Sequence, residues 1–137
     1  MFEHTLTCRV RYSETDQMGY VHHSNYARYY ENARWEFFRE IGVVYSEIEQ
    51  SGTLMPVIKM NARFVKPLRY DEEFTIVTII EKLPTSTFPI KSIIFNEKEE
   101  LIHEATVTLA FVCNKSRKAC RPPAILIDAL SDMFLSE

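Results

Sequence analysis

The chain has 137 residues, of which 46% are hydrophobic and 26% are charged, and its formal net charge is −3. This length fits one domain whose core needs no disulfide or metal to stabilise it. The excess of acidic residues argues against a general nucleic-acid binder. We therefore expect one domain over residues 1–137, no nucleic-acid partner, and a local basic cluster wherever an anionic ligand binds.

The N-terminal part of the chain predicts a strand, a polar connection and the start of a helix. Residues 4–12 alternate well enough for a strand, whereas residues 13–23 are polar and contain Gly19, which is typical of a loop. Ser24 and Asn25 are both suitable helix N-caps, because their side chains accept hydrogen bonds from free backbone amides. A helix is therefore expected directly after this loop.

The predicted helix continues to Gly42, which is a natural stop. Its apolar residues recur at the spacing of one buried face, formed by Tyr26, Tyr30, Ala33, Phe37 and Ile41. Trp35 lies on the opposite side of the helical wheel, where a monomer would expose it, so we expect another subunit or segment to cover it. Residues 44–51 predict a second short helix.

From there the hydrophobic period changes from helical to twofold, which is typical of strands. The predicted strands span residues 59–64, 74–80, 88–95 and 101–112. The connection over residues 96–100 has no glycine, so a loop longer than a two-residue turn is expected. Residues 125–135 predict a short amphipathic tail. One long helix followed by antiparallel strands predicts an α+β fold, in which a curved sheet wraps the helix.

The cysteines and the N-terminus indicate the compartment. Cys8, Cys113 and Cys120 are an odd number without metal-ligand spacing, so reduced thiols in a cytosolic protein are expected. The N-terminus has no basic start followed by an apolar run, and no window approaches the ~20 apolar residues of a membrane span. We expect a cytoplasmic protein without a membrane span.

The connection between the first strand and the helix places Asp16 and His23 beside a helix N-terminus. The first amides of a helix have no internal acceptor, and the aligned peptide dipoles add partial positive charge there. A developing oxyanion can bind these amides while Asp16 acts from the opposite side. The competing interpretation is that Asp16 only closes an Asx turn with Gly19, and local sequence alone favours that interpretation.

The residues around Asp16 resemble a known family. Arg63-Phe-Val-Lys-Pro67 resembles its strand-ending motif, and its signature is matched by Tyr12, Thr15, Asp16, Gly19, Val21, His23, Asn25, Tyr26 and Arg34. These residues are similar to those of the 4-hydroxybenzoyl-CoA thioesterase-like hotdog enzymes, especially the acyl-CoA thioesterase branch associated with the Tol–Pal system. The resemblance implies a hotdog fold, a dimer with its sheets joined edge to edge, and two active sites at the interface.

By this resemblance, Asp16 is the catalytic carboxylate of thioester hydrolysis, acting as a general base toward water or as a nucleophile. The His23 backbone N–H becomes the oxyanion donor, and its imidazole orients Asp16 or binds water. Tyr12 is expected to hydrogen-bond within the site. His22 stands where these relatives usually carry an aromatic residue, which alters the pocket mouth. Glu31 is a weaker rival for the carboxylate, because it lies away from the core stripe of the helix.

The same resemblance implies a coenzyme A substrate, whose phosphates need basic side chains. Two clusters are available, Arg63 with Lys66, and Lys115 with Arg117 and Lys118. The acyl pocket is expected to be lined by Tyr26, Tyr30, Met55, Pro56 and Phe64. Coenzyme A enters as part of the substrate, so no separate cofactor is expected. The histidines lack zinc-type spacing, so no metal site is predicted.

Three functions are compatible with these residues. The favoured prediction is an acyl-CoA thioesterase that forms a homodimer or a homotetramer. An acyl-carrier-protein thioesterase is the close alternative, in which the basic loop meets a protein. A noncatalytic acyl-binding hotdog subunit is the alternative from another class, although the presence of Asp16 and His23 argues against it. A hotdog dehydratase is disfavoured, because such enzymes place their catalytic pair differently.

Overall fold

The computed structural model describes residues 1–136 and confirms the α+β class. A 3-10 turn lies at Tyr12–Glu14. The strands and helices follow in the order β1 (Phe2–Arg9), α1 (Asn25–Glu40), α2 (Tyr45–Gln50), β2 (Thr53–Leu54), β3 (Val57–Phe64), β4 (Glu73–Ile80), β5 (Thr87–Asn96), β6 (Leu101–Ala110), β7 (Val112–Cys113) and α3 (Ala124–Leu135). Among these residues, none of the helices has the length and apolar content needed to cross a membrane.

Five strands form one antiparallel sheet in the order β1-β4-β5-β6-β3. β1 lies against β4 along its whole length, from Phe2 opposite Ile80 to Arg9 opposite Glu73. β3 pairs with β6 on one side only, so β3 and β1 are the two edges of the sheet. β2 and β7 form a separate two-stranded pair.

The core lies between α1 and the sheet. The strand period of 2 and the helix period of 3.6 place the apolar side chains on the facing surfaces. The helix contributes Tyr26, Tyr29, Tyr30, Ala33, Phe37 and Phe38. The strands contribute Phe74, Ile76, Phe88, Ile90, Ile94, Val107 and Leu109. Burial of one large aliphatic or aromatic side chain contributes about 1.5–3 kcal/mol, so this packing fixes the position of the helix over the sheet.

The glycine-free hairpin between β5 and β6 is a loop, as predicted. Asn96 Oδ1 accepts hydrogen bonds from the backbone N–H groups of Lys98 (3.0 Å) and Glu100 (2.9 Å). Glu99 takes a left-handed conformation with φ of 61°, which glycine adopts more easily. The asparagine side chain therefore closes the loop without a glycine.

Two aromatic side chains can be compared directly with the expectation from the sequence. Trp35 is half-buried, because its indole meets the ring of Tyr45 edge-on with centroids 4.6 Å apart and that of Phe38 at 5.5 Å. A segment of the same chain, α2, therefore covers part of it. Phe64 lies on the same face of β3 as Met60, as predicted, because their partners His103 and Val107 belong to one buried face of β6. At the end of this edge strand Phe64 is nevertheless 59% exposed.

Candidate active site

Residues 10–24 connect β1 to α1 and are called the Asp16 loop below. The Asp16 backbone N–H donates to the Tyr20 carbonyl (2.8 Å), and the Gly19 N–H donates to the Asp16 carbonyl (3.0 Å). Gly19 has φ of 80°, a backbone conformation that other residues adopt only with strain. The loop is therefore a tight turn with Asp16 at its base.

The Asp16 side chain takes part in this turn with only one of its two oxygens. Its Oδ1 accepts hydrogen bonds from the backbone N–H groups of Met18 (2.9 Å) and Tyr20 (3.2 Å). Its Oδ2 accepts none from the residues that the structure describes. The Asx turn that competed with a catalytic role is therefore present, and it leaves one carboxylate oxygen unused.

Glu14 ties the Asp16 loop to α1 through two acceptors. Its Oε1 accepts hydrogen bonds from the Arg11 backbone N–H (2.8 Å) and the Tyr29 hydroxyl (2.9 Å). Its carbonyl accepts from the His22 backbone N–H (2.9 Å) and from Asn25 Nδ2 (2.8 Å). Burial and the Glu14 carboxylate raise the pKa of Tyr29, so its hydroxyl stays protonated as a donor. The loop is thereby held in one arrangement against the helix.

The start of α1 leaves the His23 backbone donor free. Ser24 occupies the N-cap position, but its hydroxyl makes no capping hydrogen bond. Instead, His22 Nδ1 lies 3.2 Å from the Ser24 backbone nitrogen, and the His22 carbonyl accepts from the Asn25 N–H (2.9 Å). The His23 backbone N–H donates to no acceptor within residues 1–136. It is a free donor at the positive end of a helix.

Asp16 and His23 line the same open pocket of about 330 Å³, called the Asp16 pocket below. The rest of the wall is mostly apolar and is formed by Met18, Tyr20, Val21, Tyr26, Phe64, Val65, Lys66 and Pro67. The rings of Tyr26 and Phe64 meet edge-on, with centroids 5.5 Å apart. Apolar walls around a few polar groups are typical of small-molecule sites.

Behind this wall lies His103 of β6, which is fully buried. Its ring stacks on Tyr26 (centroids 4.1 Å apart, planes 3° apart) and meets Phe64 edge-on at 4.5 Å. Its Nδ1 is hydrogen-bonded to the Tyr30 hydroxyl, and its Nε2 has no partner among the described residues. Burial lowers the pKa of His103 to about 4. The imidazole is therefore neutral at neutral pH and supports both rings without adding charge.

Four of the residues predicted for catalysis or for the acyl pocket lie away from the Asp16 pocket. Tyr12 is 77% exposed and its ring meets that of Tyr70 edge-on at 5.6 Å. Tyr30 is buried behind the wall, where it is bonded to His103. Met55 lines a different cavity and Pro56 is exposed. Within one chain, the structure therefore brings Tyr26 and Phe64 of the predicted acyl pocket to Asp16, and not the other three residues.

The predicted coenzyme A contacts lie in three places. Lys66 lines the Asp16 pocket and forms an ion pair with Glu100. Arg63 is paired with Glu104 across the sheet, with 3.1 Å between Nη2 and Oε1. The third group is exposed in the turn after β7 and forms no ion pair in the described part of the chain: Lys115, Arg117 and Lys118.

Sequence reasoning missed two residues that build this site, Glu14 and His103. Glu14 is an acidic residue two positions before Asp16 in a polar loop, and nothing local shows that α1 supplies its partners. For His103 a signal existed, because the twofold period places it on the same strand face as Ala105 and Val107. A histidine on an apolar strand face needs a buried partner.

Comparisons with known proteins find relatives over most of the chain. The profile of the thioesterase-like superfamily matches residues 10–130, which include the Asp16 loop, α1 and β3. A putative esterase of Aquifex aeolicus is 36% identical over 124 residues, covering 90% of this chain and 94% of that protein. The putative acyl-CoA thioesterase YneP of Bacillus subtilis is 38% identical over 109 residues, covering 80% and 79%. The structure of a DHNA-CoA thioesterase from Staphylococcus aureus superposes with a TM-score of 0.89 at 30% identity, covering 98% and 93%.

Proposed function

Because this chain belongs to the thioesterase-like hotdog superfamily and is a thioester hydrolase, we propose that it hydrolyses acyl-CoA to a free carboxylic acid and coenzyme A. One observation carries the proposal: the Asp16 Oδ2 and the His23 N–H are both without partners in the described chain and belong to residues of one pocket. The proposal places the reaction in the cytoplasm. The Tol–Pal branch stays a prediction.

The proposed chemistry uses these two groups on opposite sides of the thioester carbonyl. Asp16 takes a proton from an attacking water, or attacks the carbonyl carbon itself to form an anhydride that water then opens. The carbonyl oxygen gains negative charge as the new C–O bond forms, and the His23 N–H stabilises it. The C–S bond breaks when this tetrahedral intermediate collapses, and the coenzyme A thiolate leaves and takes up a proton. In the nucleophilic route this collapse gives the anhydride, and water opens it afterwards.

The fixed position of Asp16 suits both its role as a general base and its role as a nucleophile. Two backbone amides hold Oδ1, so Oδ2 keeps a constant direction and little rotational freedom is lost when substrate binds. A single turnover in heavy-oxygen water, with enzyme in excess over substrate, separates the two roles. Attack by water labels the released acid and leaves the enzyme unlabelled. Label in the Asp16 carboxylate after one turnover identifies attack by Asp16, with water opening the anhydride at the Asp16 carbonyl.

The test of the proposal is the Asp16→Asn variant. Asparagine keeps an oxygen that the Met18 and Tyr20 amides can hold, and it removes only the basic oxygen, so the loop should keep its shape. We expect kcat to fall ~10²–10⁴-fold, the contribution typical of a general base. Thiol release from short, long and aromatic acyl-CoAs measures this loss. Asp128→Asn on the exposed side of α3 is the matched control, and wild-type kcat in D16N would contradict the proposal.

The same assay separates the alternative functions. One acyl group is offered on coenzyme A and on acyl carrier protein, and kcat/KM is compared. A higher kcat/KM with coenzyme A supports the proposal, whereas a higher value with the carrier protein supports the alternative thioesterase. Acyl-CoA binding without any product would identify a noncatalytic acyl-binding subunit.

We also propose that two copies pair through β3. This edge strand exposes apolar side chains, with Val57 52%, Ile58 57% and Phe64 59% exposed. A free edge with apolar side chains is a template for a second strand. Antiparallel pairing of two β3 strands places the end of one beside the start of the other. Phe64 of the Asp16 pocket would then lie near Val57 of the second copy, so the pairing would extend the pocket wall.

An Ile58→Lys variant tests this pairing. Lysine on an edge strand opposes strand addition, so we expect the variant to sediment as a monomer while the wild type sediments as a dimer or tetramer. Leu83→Lys is the matched control, because Leu83 is an exposed apolar residue between β4 and β5. A dimeric I58K protein, or a monomeric wild type, would count against pairing through β3.

A further inference from the structure

Arg34 of α1 is a buried cation that no acidic side chain among residues 1–136 contacts directly. It is only 7% exposed, yet it forms no hydrogen bond or ion pair with any residue in 1–136. Burial lowers its pKa, and the Glu31 carboxylate one turn earlier partly offsets this. A guanidinium carries five N–H donors, and their burial is unfavourable when nothing replaces the lost water. The structure thus holds donors that no group among residues 1–136 uses.

These donors belong to a cavity of about 620 Å³ that shares no lining residue with the Asp16 pocket of the same copy. We call it the Arg34 cavity. It is lined by α1, by the segment around the start of α2, and by the approach to β3, with apolar or aromatic walls at Trp35, Val43, Tyr45 and Met55. Arg39 also lines it, but Arg39 is already paired with Glu36. Arg34 is therefore the wall cation whose charge is not balanced by a contact within the described residues.

We propose that the Arg34 cavity binds the carboxylate of an organic acid with an apolar body. The planar guanidinium matches a carboxylate through two parallel hydrogen bonds, which is the geometry that arginine favours. The apolar body of the acid would lie against the aromatic and aliphatic walls. The volume falls within the range of small-ligand sites.

The charges of the wall favour a carboxylate over a phosphate. The Glu31 carboxylate lines the same cavity as Arg34, and it repels a dianion more strongly than a monoanion. The acid released by thioester hydrolysis belongs to this chemical class. Binding at Arg34 does not, however, require hydrolysis at Asp16.

Trp35 supplies a specific readout, because it is the only tryptophan of the chain and lines this cavity. We expect octanoate to change the Trp35 emission saturably in the wild-type protein. Octylamine has the same apolar body and the opposite charge, so it should give no saturable change. In Arg34→Met the apparent Kd for octanoate should rise by about tenfold or more, because charge-assisted hydrogen bonds are lost. Arg28→Met, on the exposed side of α1, is the matched control and should bind octanoate as the wild type does.

Arg34→Lys carries the test if Arg34→Met does not fold. Lysine keeps the charge and loses the planar fork, so the Kd should lie between those of the wild type and R34M. Equal octanoate binding by the wild type and the Arg34 variants overturns the proposal, and so does an equal response to octylamine. A wild type that gives no response below the micelle concentration of octanoate also overturns it. A structure of the assembled protein in which a carboxylate of a second copy pairs with Arg34 would also overturn the proposal.

Discussion

The Asp16 pocket and the Arg34 cavity both lie along α1, but the chain treats their charged groups in opposite ways. Asp16 is partly exposed, and two backbone amides hold one of its oxygens. Arg34 is almost fully buried, and no group within residues 1–136 holds it. A charge that must react is best fixed in place and left accessible. A charge that must bind keeps its donors unused until a ligand arrives.

The difference also separates the two sites energetically. The free groups of the Asp16 pocket lie in an open site where water can bind them, so they cost little in the absence of substrate. Arg34 is only 7% exposed, so its pairing with a ligand carboxylate meets less competing water and has more to gain. We therefore expect activity at the Asp16 pocket to be sensitive to shifts in the position of Asp16. Binding in the Arg34 cavity should be sensitive to the loss of the Arg34 charge.

The largest effect, apart from loss of Asp16 itself, is expected for Glu14→Ala. The change removes the acceptor shared by the Arg11 amide and the Tyr29 hydroxyl. We expect the free energy of unfolding to fall by about 1–3 kcal/mol and kcat to fall by about 10², because the loop that carries Asp16 shifts. Urea unfolding and thiol release measure the two losses.

Two milder variants serve as controls for Glu14→Ala. Glu14→Gln keeps an acceptor oxygen and should lose much less activity, and Tyr29→Phe removes one of the two donors only. The Trp35 response to octanoate should stay unchanged in all three, because Glu14 does not line the Arg34 cavity. An unchanged kcat in E14A would show that Asp16 is positioned without the hydrogen bonds of Glu14.

The fold was predictable where the signal is local. The helical spacing of Tyr26, Tyr30 and Ala33 and the twofold period of the later strands correctly identified α1, β4, β5 and β6, because both periods can be read within one segment. Strand order is a long-range property. β3 follows α2 in the chain but pairs with β6 at the edge of the sheet, so the exposure of Phe64 could not be read from its own alternation.

The candidate site was also predictable only where its residues are close together in sequence. Asp16, Gly19 and His23 lie close together in sequence, so a loop at a helix start was enough to bring them to one place. The packing behind the pocket wall was not predictable, because His103 contacts Tyr26 from a strand that is distant in sequence. Met55 was expected in the acyl pocket and lines the Arg34 cavity within the chain. Its position depends on how α2 turns the chain back toward α1, which no local period encodes.

A smaller effect is expected from the neutral His103 behind the Asp16 pocket. Its pKa is about 4 in the folded protein against an ordinary value of 6.5. As pH falls, the unfolded chain takes up this proton first, so the contribution to stability is full above pH 6.5 and is lost as pH falls toward 4. The shift corresponds to at most about 3 kcal/mol. Urea unfolding at several pH values across this window measures the slope.

His103→Phe isolates this contribution, because phenylalanine can keep the stack on Tyr26 and has no proton to exchange. Its unfolding free energy should depend less on pH than that of the wild type within the window. His22→Asn alters an exposed histidine and should leave the slope as it is. Parallel pH dependence of the wild type and H103F would mean that His103 is not held neutral in the folded protein.

The smallest effect is expected outside both cavities, in the basic turn after β7. Replacing Lys115, Arg117 and Lys118 together by alanine removes exposed charges that no acidic side chain of the described chain neutralises. If they meet coenzyme A phosphates, KM should rise by about fivefold with kcat unchanged, and the rise should shrink at high salt because exposed charges are screened. Alanine at Lys82, Lys91 and Lys98 removes the same charge elsewhere on the surface and should leave KM unchanged.

Lys66 offers the contrasting case, because it lines the Asp16 pocket but is already paired with Glu100. Glu100 lowers its availability to a phosphate, so Lys66→Ala should change KM less than the triple variant does. The reverse order, with KM raised by K66A and unchanged in the triple variant, would move the nucleotide contact from the turn to the pocket wall. Binding of both ends of the substrate would then depend on the Asp16 pocket, and the turn after β7 would be a solvated surface.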